Sequence, residues 1–253
     1  MAATVLGVIP ARFASRRLAG KPLADLGGKP LIQHVYERSA ACALFERVVV
    51  ATDDPRIAAA VEGFGGVAAM TSPDHVSGTD RVAEVAAAAS AALIVNVQGD
   101  EPFVTAPVLE QVVRPLLEPG APPMATLCKR ITERAALADP NVVKVVTAAD
   151  GTALYFSRSP IPCPDRAAPG TAWEHIGIYA YRRDFLLEFS RMRPGRLELA
   201  EGLEQLRALE RGHRIAVVPT EDHIGVSVDT AEDLDRARRL LERGGAPGAP
   251  GSR

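Results

Sequence analysis

Two acidic residues are best placed to do chemistry, because each stands at the end of a short apolar run. Asp100 follows the run 93–98, and Asp229 follows the run 226–228. A segment of opposite charge follows the apolar run 5–9 and carries the cations Arg12, Arg16, Arg17 and Lys21. Mg²⁺ prefers one or two carboxylates together with phosphate oxygens. A cationic loop and two strand-end carboxylates therefore indicate Mg²⁺-assisted chemistry on a nucleoside triphosphate.

The elements that must position these residues alternate regularly through the first half of the chain. Apolar runs predict strands over 5–9, 48–52, 67–70 and 93–98. Helical spacing predicts helices over 30–41, 55–64, 79–89 and 106–117. This βα alternation favours an α/β fold with a mainly parallel sheet and right-handed crossovers. In such a sheet, ligands bind at the carboxyl ends of the strands.

The pattern changes after residue 120. Strands are predicted over 125–130, 142–147, 153–156 and 176–181, with a loop over 160–171. Further elements are helices over 183–190, 201–211 and 230–243 and strands over 215–218 and 226–228. Thr230 and Asp233 have capping-box spacing. We predict one domain over 1–243, with an added sheet region at about 120–182, and a disordered tail over 244–253.

Bulk composition excludes several classes of protein. The 253 residues are 47% hydrophobic and 24% charged, which is ordinary for a globular protein, and the net charge of −2 indicates neither a nucleic-acid nor a membrane partner. The three cysteines lack metal-ligand spacing, which favours idle thiols in a reducing compartment. Because no apolar run approaches the roughly 20 residues of a membrane span, we expect a cytoplasmic protein.

The cationic loop over 9–22 follows the first strand directly. Its small residues allow backbone amides to approach a triphosphate, and its cations suit phosphate oxygens. It is not a Walker A loop, since Ser15 stands where that motif needs Gly, and Pro22 stands where it needs Ser or Thr. It also lacks the dinucleotide fingerprint G-x-G-x-x-G. A solvated surface loop is the alternative that the loop alone leaves open.

The same loop carries a specific resemblance. The run Arg12-x-x-Ser15-x-Arg17-Leu18-x-Gly20-Lys21-Pro22 resembles the signature of sugar-activating nucleotidyltransferases, and more closely that of the 3-deoxy-manno-octulosonate cytidylyltransferase (CMP-KDO synthetase) family. Further collinear matches cover 77–81, 96–102, 153–158, 175–179, 203–207 and 228–234. The resemblance extends over about 4–243. It implies a Rossmann-like nucleotidyltransferase three-layer sandwich, a homodimer, and a role in sugar binding and dimerisation for the region 120–182.

The resemblance also implies a role for each matching residue. The nucleotide CTP would be bound by Arg12, Ser15, Lys21, Arg81 and Gln98. Catalysis would depend on Arg12, Lys21 and Asp100, and the cofactor Mg²⁺ would be held by Asp100 and Asp229. The sugar acceptor would be bound by Gln98, Arg158, His175, Tyr179, Glu204 and Gln205.

The implied reaction transfers CMP from CTP to 3-deoxy-D-manno-octulosonate (KDO), giving CMP-KDO and pyrophosphate for lipopolysaccharide synthesis. The chain departs from the family pattern at Arg16, Ala19, Val226, Ser227 and Ala231, which leaves another acidic sugar, such as a sialic acid or amino-KDO, open as the acceptor. A non-enzymatic nucleotide-sensing module is a second alternative. An NAD-dependent dehydrogenase using Asp53 on a ribose is a third, and the missing glycine fingerprint counts against it.

Overall fold

The structure is a computed structural model that describes residues 3–14, 17–164, 171–222 and 225–243. The chain forms two compact units. The first unit comprises Met1–Glu110 and Asp222–Arg253, and the second comprises Gln111–Glu221.

The first unit is built on parallel strands that alternate with helices. In chain order its elements are β1 (Val5–Ala11), a 3₁₀ helix (Lys21–Leu23), β2 (Asp25–Leu26), β3 (Lys29–Pro30), α1 (Leu31–Ala40), β4 (Arg47–Thr52), α2 (Pro55–Gly63), β5 (Ala68–Met70), α3 (Gly78–Ala87) and β6 (Leu93–Asn96). The next helix, α4 (Ala106–Leu117), begins in this unit. The strands β6, β1, β4 and β5 are neighbours in that order, and every pairing is parallel. The predicted α/β class is thereby confirmed.

Apolar strand residues explain this parallel sheet. Val8, Ile9, Val50 and Ile94 are fully buried. Strands that are covered on both faces need such continuous apolar runs, since neither face meets water. The short strands β2 and β3 form a separate antiparallel pair that the sequence pattern did not predict.

The second unit contains mostly antiparallel strands. Its elements are β7 (Met124–Arg130), α5 (Arg134–Ala138), β8 (Lys144–Thr147), β9 (Ala153–Ser157), β10 (Trp173–Arg182), α6 (Arg183–Phe189), α7 (Arg196–Glu201), α8 (Leu206–Glu210) and β11 (Ile215–Pro219). Strand β10 pairs antiparallel with β7 and β8, β8 pairs antiparallel with β9, and β11 runs parallel to β7. The strands predicted in this part of the chain are confirmed.

One predicted helix of the second unit is wrong. The range 201–211 is not a single helix, because α7 ends at Gly202, whose φ of +63° is left-handed, and α8 begins only at Leu206. Glycine adopts a left-handed conformation at little cost and commonly ends a helix in this way. Glu204 and Gln205 therefore lie in the connection between two short helices.

The chain returns to the first unit and ends its described part in α9 (Ala231–Glu242). The predicted capping box is confirmed, since Asp233 N donates to Thr230 Oγ1 at 3.2 Å and Thr230 N donates to Asp233 Oδ2 at 3.1 Å. The predicted strand over 226–228 is wrong. Its described backbone is irregular and is fixed by a hydrogen bond from Val228 N to Asp100 O (2.9 Å) rather than by a strand ladder.

The predicted disordered tail over 244–253 lies outside the described residues. Within the described residues, no helix has both the length and the apolar character that a membrane span requires.

Candidate active site

A cavity of about 520 Å³ opens in the first unit at the carboxyl ends of β1 and β6. Arg12 follows β1 directly, and Gln98 and Asp100 follow β6, which is its parallel neighbour. The carboxyl ends of parallel neighbours meet at one edge of the sheet, so residues 88 positions apart in the chain line one cavity. Its lining also includes Arg17, Lys21, Arg81 and Asp229.

A glycine brings Asp100 close to the first strand. A Cβ atom at Gly99 would lie 2.9 Å from the backbone oxygen of Pro10, so any larger residue would push the two segments apart. The backbone oxygen of Asp100 then accepts the hydrogen bond from Val228 N, which brings Asp229 to the same cavity. Asp229 therefore reaches the cavity through a tertiary hydrogen bond of its neighbour Val228, and not because it stands at the end of a strand.

Lys21 lies between the two acids. Its Nζ atom is 2.8 Å from Asp100 Oδ2 and 3.1 Å from Asp229 Oδ1, and Arg17 approaches Asp229 Oδ2 at 2.9 Å. Burial by itself would lower the pKa of Lys21, but the charges and hydrogen bonds of Asp100 and Asp229 outweigh it and raise the pKa above its ordinary value. Lys21 is therefore a fixed positive charge, and the two acids that were predicted as metal ligands both contact it.

The two carboxylates suit a hard divalent cation that would also take phosphate oxygens and water as ligands. Both contact the Lys21 ammonium, which shows that oxygens of the two side chains can face one cation. In the described part of the chain, no three His, Cys, Asp or Glu side chains cluster closely enough to hold a metal by themselves. The donor set therefore fits an ion that arrives with a nucleotide, not a metal fully caged by the protein.

Arg81 reaches the cavity from α3 with its guanidinium group held in place. The residue is only 4% exposed, its NH1 atom donates to Thr71 Oγ1, and its NH2 atom lies 3.3 Å from Asp53 Oδ1. Asp53, which a dehydrogenase would use on a ribose, is instead engaged by this arginine. Gln98, the other residue predicted to recognise the base, donates its amide to Asn96 Oδ1 at 3.3 Å and lines the same cavity.

Arg158, a predicted sugar ligand, lies in the second unit with its guanidinium turned to backbone oxygens. Its Nε atom donates to Glu201 O at 2.8 Å, NH1 donates to Pro140 O at 3.0 Å, and NH2 donates to Gly202 O at 3.4 Å. The Glu201 carboxylate in turn accepts from Arg158 N at 2.9 Å and from Ser157 Oγ at 2.7 Å. These contacts join the end of β9 to the end of α7.

Four more predicted sugar ligands, His175, Tyr179, Glu204 and Gln205, lie in the second unit, whereas Gln98 lies in the first. The rings of His175 and Tyr179 on β10 are 5.4 Å apart. Burial lowers the pKa of His175 to about 3, and burial together with the charge of Glu204 raises the pKa of Tyr179. Gln205 is 4% exposed, and its Nε2 atom is buried without a hydrogen-bond partner. An unsatisfied buried amide donor is costly and indicates a place where a ligand could accept.

Known proteins are similar to this chain over most of its length. Residues 6–215 match the family described as cytidylyltransferase. A relative from Geobacter sulfurreducens, named 3-deoxy-manno-octulosonate cytidylyltransferase, is 53% identical over 249 residues, which cover 94% of this chain and 99% of the relative. A relative of the same name from Pelobacter propionicus is 54% identical over 92% of this chain and 96% of its own length. The chain belongs to the 3-deoxy-manno-octulosonate cytidylyltransferase family.

A solved structure supports the fold of this cytidylyltransferase directly. The structure of CMP:2-keto-3-deoxy-manno-octonic acid synthetase complexed with CTP matches it with a TM-score of 0.92 and 46% identity, covering 96% of this chain and 100% of that chain. The chain is therefore a nucleotidyltransferase. The dehydrogenase and nucleotide-sensing alternatives are set aside.

Sequence reasoning found some parts of the site of this cytidylyltransferase and missed others. Of the predicted nucleotide and metal residues, Arg12, Lys21, Arg81, Gln98, Asp100 and Asp229 line one cavity, whereas Ser15 lies outside the described residues. Arg17 had been named only as one of the loop cations, without its pairing with Asp229, and Thr71, which holds Arg81, had not been named at all. The sequence pattern placed Arg17 in the signature run but could not show which acid it meets. Thr71 offers no sequence signal, because only the fold brings it to Arg81.

Proposed function

We propose that this cytidylyltransferase transfers CMP from CTP to KDO, releasing pyrophosphate, in lipopolysaccharide synthesis. The observation that carries the proposal is the meeting of Lys21, Asp100 and Asp229 in a cavity that also holds Arg12, Arg17 and Arg81. Four cations and two acids in one place suit a triphosphate that carries its own divalent ion. The choice of cytosine as the base and of KDO as the acceptor is supported by the names of the relatives.

The chemistry is a displacement at the α-phosphorus of CTP. A hydroxyl oxygen of the sugar forms a bond to this phosphorus, the bond to the bridging oxygen of pyrophosphate breaks, and the hydroxyl proton leaves to solvent or a base. Charge grows on the equatorial oxygens and on the leaving group, so positioning and electrostatics do most of the work. Arg12 and Lys21 are proposed to stabilise the departing pyrophosphate, since both line the cavity at the end of β1.

The cofactor is proposed to be Mg²⁺, held by Asp100 and Asp229. When bound, this ion would neutralise phosphate charge that Lys21 and Arg17 alone leave uncompensated. Arg81 and Gln98 are proposed to recognise the cytosine nucleotide. Because Asp53 and Thr71 fix the Arg81 guanidinium before any ligand arrives, little side-chain entropy would be lost when a nucleotide binds.

The acceptor is proposed to bind through Gln98, Arg158, His175, Tyr179, Glu204 and Gln205. In support, Gln205 offers an unsatisfied amide and His175 offers a ring of low pKa beside Tyr179. We propose in addition that residues 1–243 act as one nucleotidyltransferase domain, that the region 120–182 serves sugar binding and dimerisation in a homodimer, and that the enzyme acts in the cytoplasm. The buried thiols of Cys42 and Cys128 are compatible with a reducing compartment.

A pyrophosphate-release assay tests the reaction. Purified protein is given CTP, UTP or ATP, each with KDO, amino-KDO or a sialic acid, in the presence of Mg²⁺. We expect release only with CTP, and most rapidly with KDO. Faster release with a sialic acid or amino-KDO would replace the proposed acceptor while retaining the cytidylyltransfer, whereas release with UTP or ATP at the same rate would contradict the roles given to Arg81 and Gln98. Gel filtration with light scattering tests the homodimer.

A further inference from the structure

Thr126, in the middle of β7, makes an unusual set of contacts in the second unit. It is fully buried, and its Oγ1 atom lies 3.0 Å from Ile176 O, 2.9 Å from Ile178 O and 3.0 Å from His175 Nε2. These contacts fall where the pairing of β7 with β10 shifts register between Ile176 and Tyr179. The hydroxyl therefore lies in the irregular part of the strand pairing, next to Nε2 of the His175 ring.

Counting hydrogens at Thr126 fixes the tautomer of His175. A hydroxyl has one hydrogen to donate, and a backbone carbonyl oxygen can only accept. If Thr126 donated to the ring nitrogen, its oxygen would face both carbonyl oxygens of Ile176 and Ile178 at about 3 Å with no hydrogen between them. With a hydrogen on Nε2, two of the three contacts carry a hydrogen, since Thr126 Oγ1 donates to one carbonyl and accepts from His175; without it, only one contact does. This count assigns the hydrogen to Nε2.

The tautomer decides what the other ring nitrogen can do. With the hydrogen on Nε2, Nδ1 carries a lone pair and can accept a hydrogen bond. We propose that Thr126 is a positioning residue that holds His175 in the Nε2–H tautomer and so presents Nδ1 as the acceptor for a hydroxyl group of the sugar. This inference rests on the proposed function, in which His175 belongs to the acceptor site.

The surroundings of the ring agree with this role. Phe156 meets the His175 ring edge-on at 5.0 Å, and Tyr179 lies 5.4 Å away, so two aromatic groups pack against the ring. Burial lowers the pKa of His175 to about 3, which keeps Nδ1 unprotonated at neutral pH. A lone pair at Nδ1 repels a carboxylate. His175 should therefore contact a hydroxyl, and the acidic group of the sugar must lie against other residues.

Gln205 adds a complementary group from the connection between α7 and α8. Its buried Nε2 atom is a donor without a partner, whereas Nδ1 of His175 is an acceptor. A sugar hydroxyl both donates and accepts. The residues proposed to bind the acceptor thus include both a donor and an acceptor. This combination suits a polyhydroxylated ligand better than a simple anion, which would need donors only.

The variants Thr126→Val and Thr126→Ser test the proposal. Valine keeps the shape of threonine and removes the hydroxyl, whereas serine keeps the hydroxyl. We expect Thr126→Val to raise the KM for KDO about tenfold, as the loss of one well-placed hydrogen bond does, while the KM for CTP stays within about twofold. Thr126→Ser, which keeps the hydroxyl, should have a KM for KDO close to that of the wild type. In ¹⁵N spectra of histidine-labelled protein near neutral pH, assigned by comparison with His175→Ala, the wild type should show a protonated Nε2 and an unprotonated Nδ1.

The outcomes distinguish a wrong tautomer assignment from a wrong acceptor role for His175. A wild-type spectrum with the proton on Nδ1 would overturn the inference, and so would an unchanged KM for KDO in a folded Thr126→Val. If that variant does not fold, the wild-type spectrum and the Thr126→Ser kinetics still decide. If His175→Ala leaves the KM for KDO unchanged although the spectrum shows Nε2–H, the proposed acceptor role of His175 fails and the tautomer assignment stands.

Discussion

Replacing Asp100 with asparagine should separate catalysis from stability. The substitution keeps the shape of the side chain and removes its charge. The backbone oxygen of Asp100, which accepts from Val228 N, is unaffected, so the segment that carries Asp229 stays attached. Lys21 also keeps Asp229 as a partner at 3.1 Å. The change therefore removes one carboxylate from the cavity without dismantling it.

The expected magnitudes differ by several kcal/mol. The Asp100 side chain is 25% exposed and makes one ion pair, to Lys21 at 2.8 Å. An asparagine oxygen can still accept from Lys21, so the loss in the free energy of unfolding should be about 1 kcal/mol, a fall in Tm of about 2–4 °C. A charge positioned for the transition state contributes far more. We expect kcat to fall about a thousandfold, or about 4 kcal/mol in activation free energy.

The assay is pyrophosphate release at saturating CTP and KDO, with urea unfolding measured on the same preparations. Asp235→Asn is the matched control, because it also removes an ion pair, at 2.9 Å to Arg238, but on the exposed face of α9. It should leave kcat unchanged. A folded Asp100→Asn that retains more than about a tenth of the wild-type kcat would refute the assignment of Asp100 to the reacting phosphate and its ion.

Three further predictions concern the whole protein. Chelation by EDTA should abolish pyrophosphate release, and Mg²⁺ should restore it while the unfolding midpoint changes little; a large loss of stability would instead indicate a structural metal. The folded-state pKa of His175 lies near 3, below its ordinary 6.5, so its contribution to stability is complete above 6.5 and is lost as the pH falls toward 3. Between pH 7.5 and 5 this loss should be about 2 kcal/mol, and urea titrations of a folded His175→Asn should lack it; equal losses in both proteins would contradict the pKa. A thiol reagent should label Cys163 rapidly in the native protein, and should reach buried Cys42 and Cys128 only after unfolding; three fast thiols would show that the core is open.

Much of the nucleotide site followed from local patterns. Apolar runs predicted β1 and β6, and parallel strands expose their carboxyl ends at one edge, so Arg12 and Asp100 were expected at one cavity before any contact was known. Lys21 was identified by its place in the signature run. These inferences held because apolar runs and charged motifs can be read from short segments, and because the order of strands and helices follows directly from the sequence.

Other predictions failed where a local pattern competed with geometry. The range 201–211 reads as helical throughout, but Gly202 adopts a left-handed conformation and divides it, which places Gln205 in a connection with an unsatisfied amide. The range 226–228 reads as a strand, but a single hydrogen bond to Asp100 O replaces a ladder. In both places the sequence pattern predicted a regular element, and the actual backbone conformation placed the residues in an irregular connection instead.

The sequence alone determined the order of the elements, the sign of the charges around the nucleotide cavity and the family. It could not determine which atoms meet, because hydrogen bonds between residues far apart in the chain leave no periodic trace. Lys21 bridges to Asp229 across 208 positions, and Thr126 reaches His175 across 49. Distance and direction in three dimensions set both contacts, so only the tertiary structure shows that one lysine faces two acids and that one buried hydroxyl lies 3.0 Å from a histidine ring nitrogen.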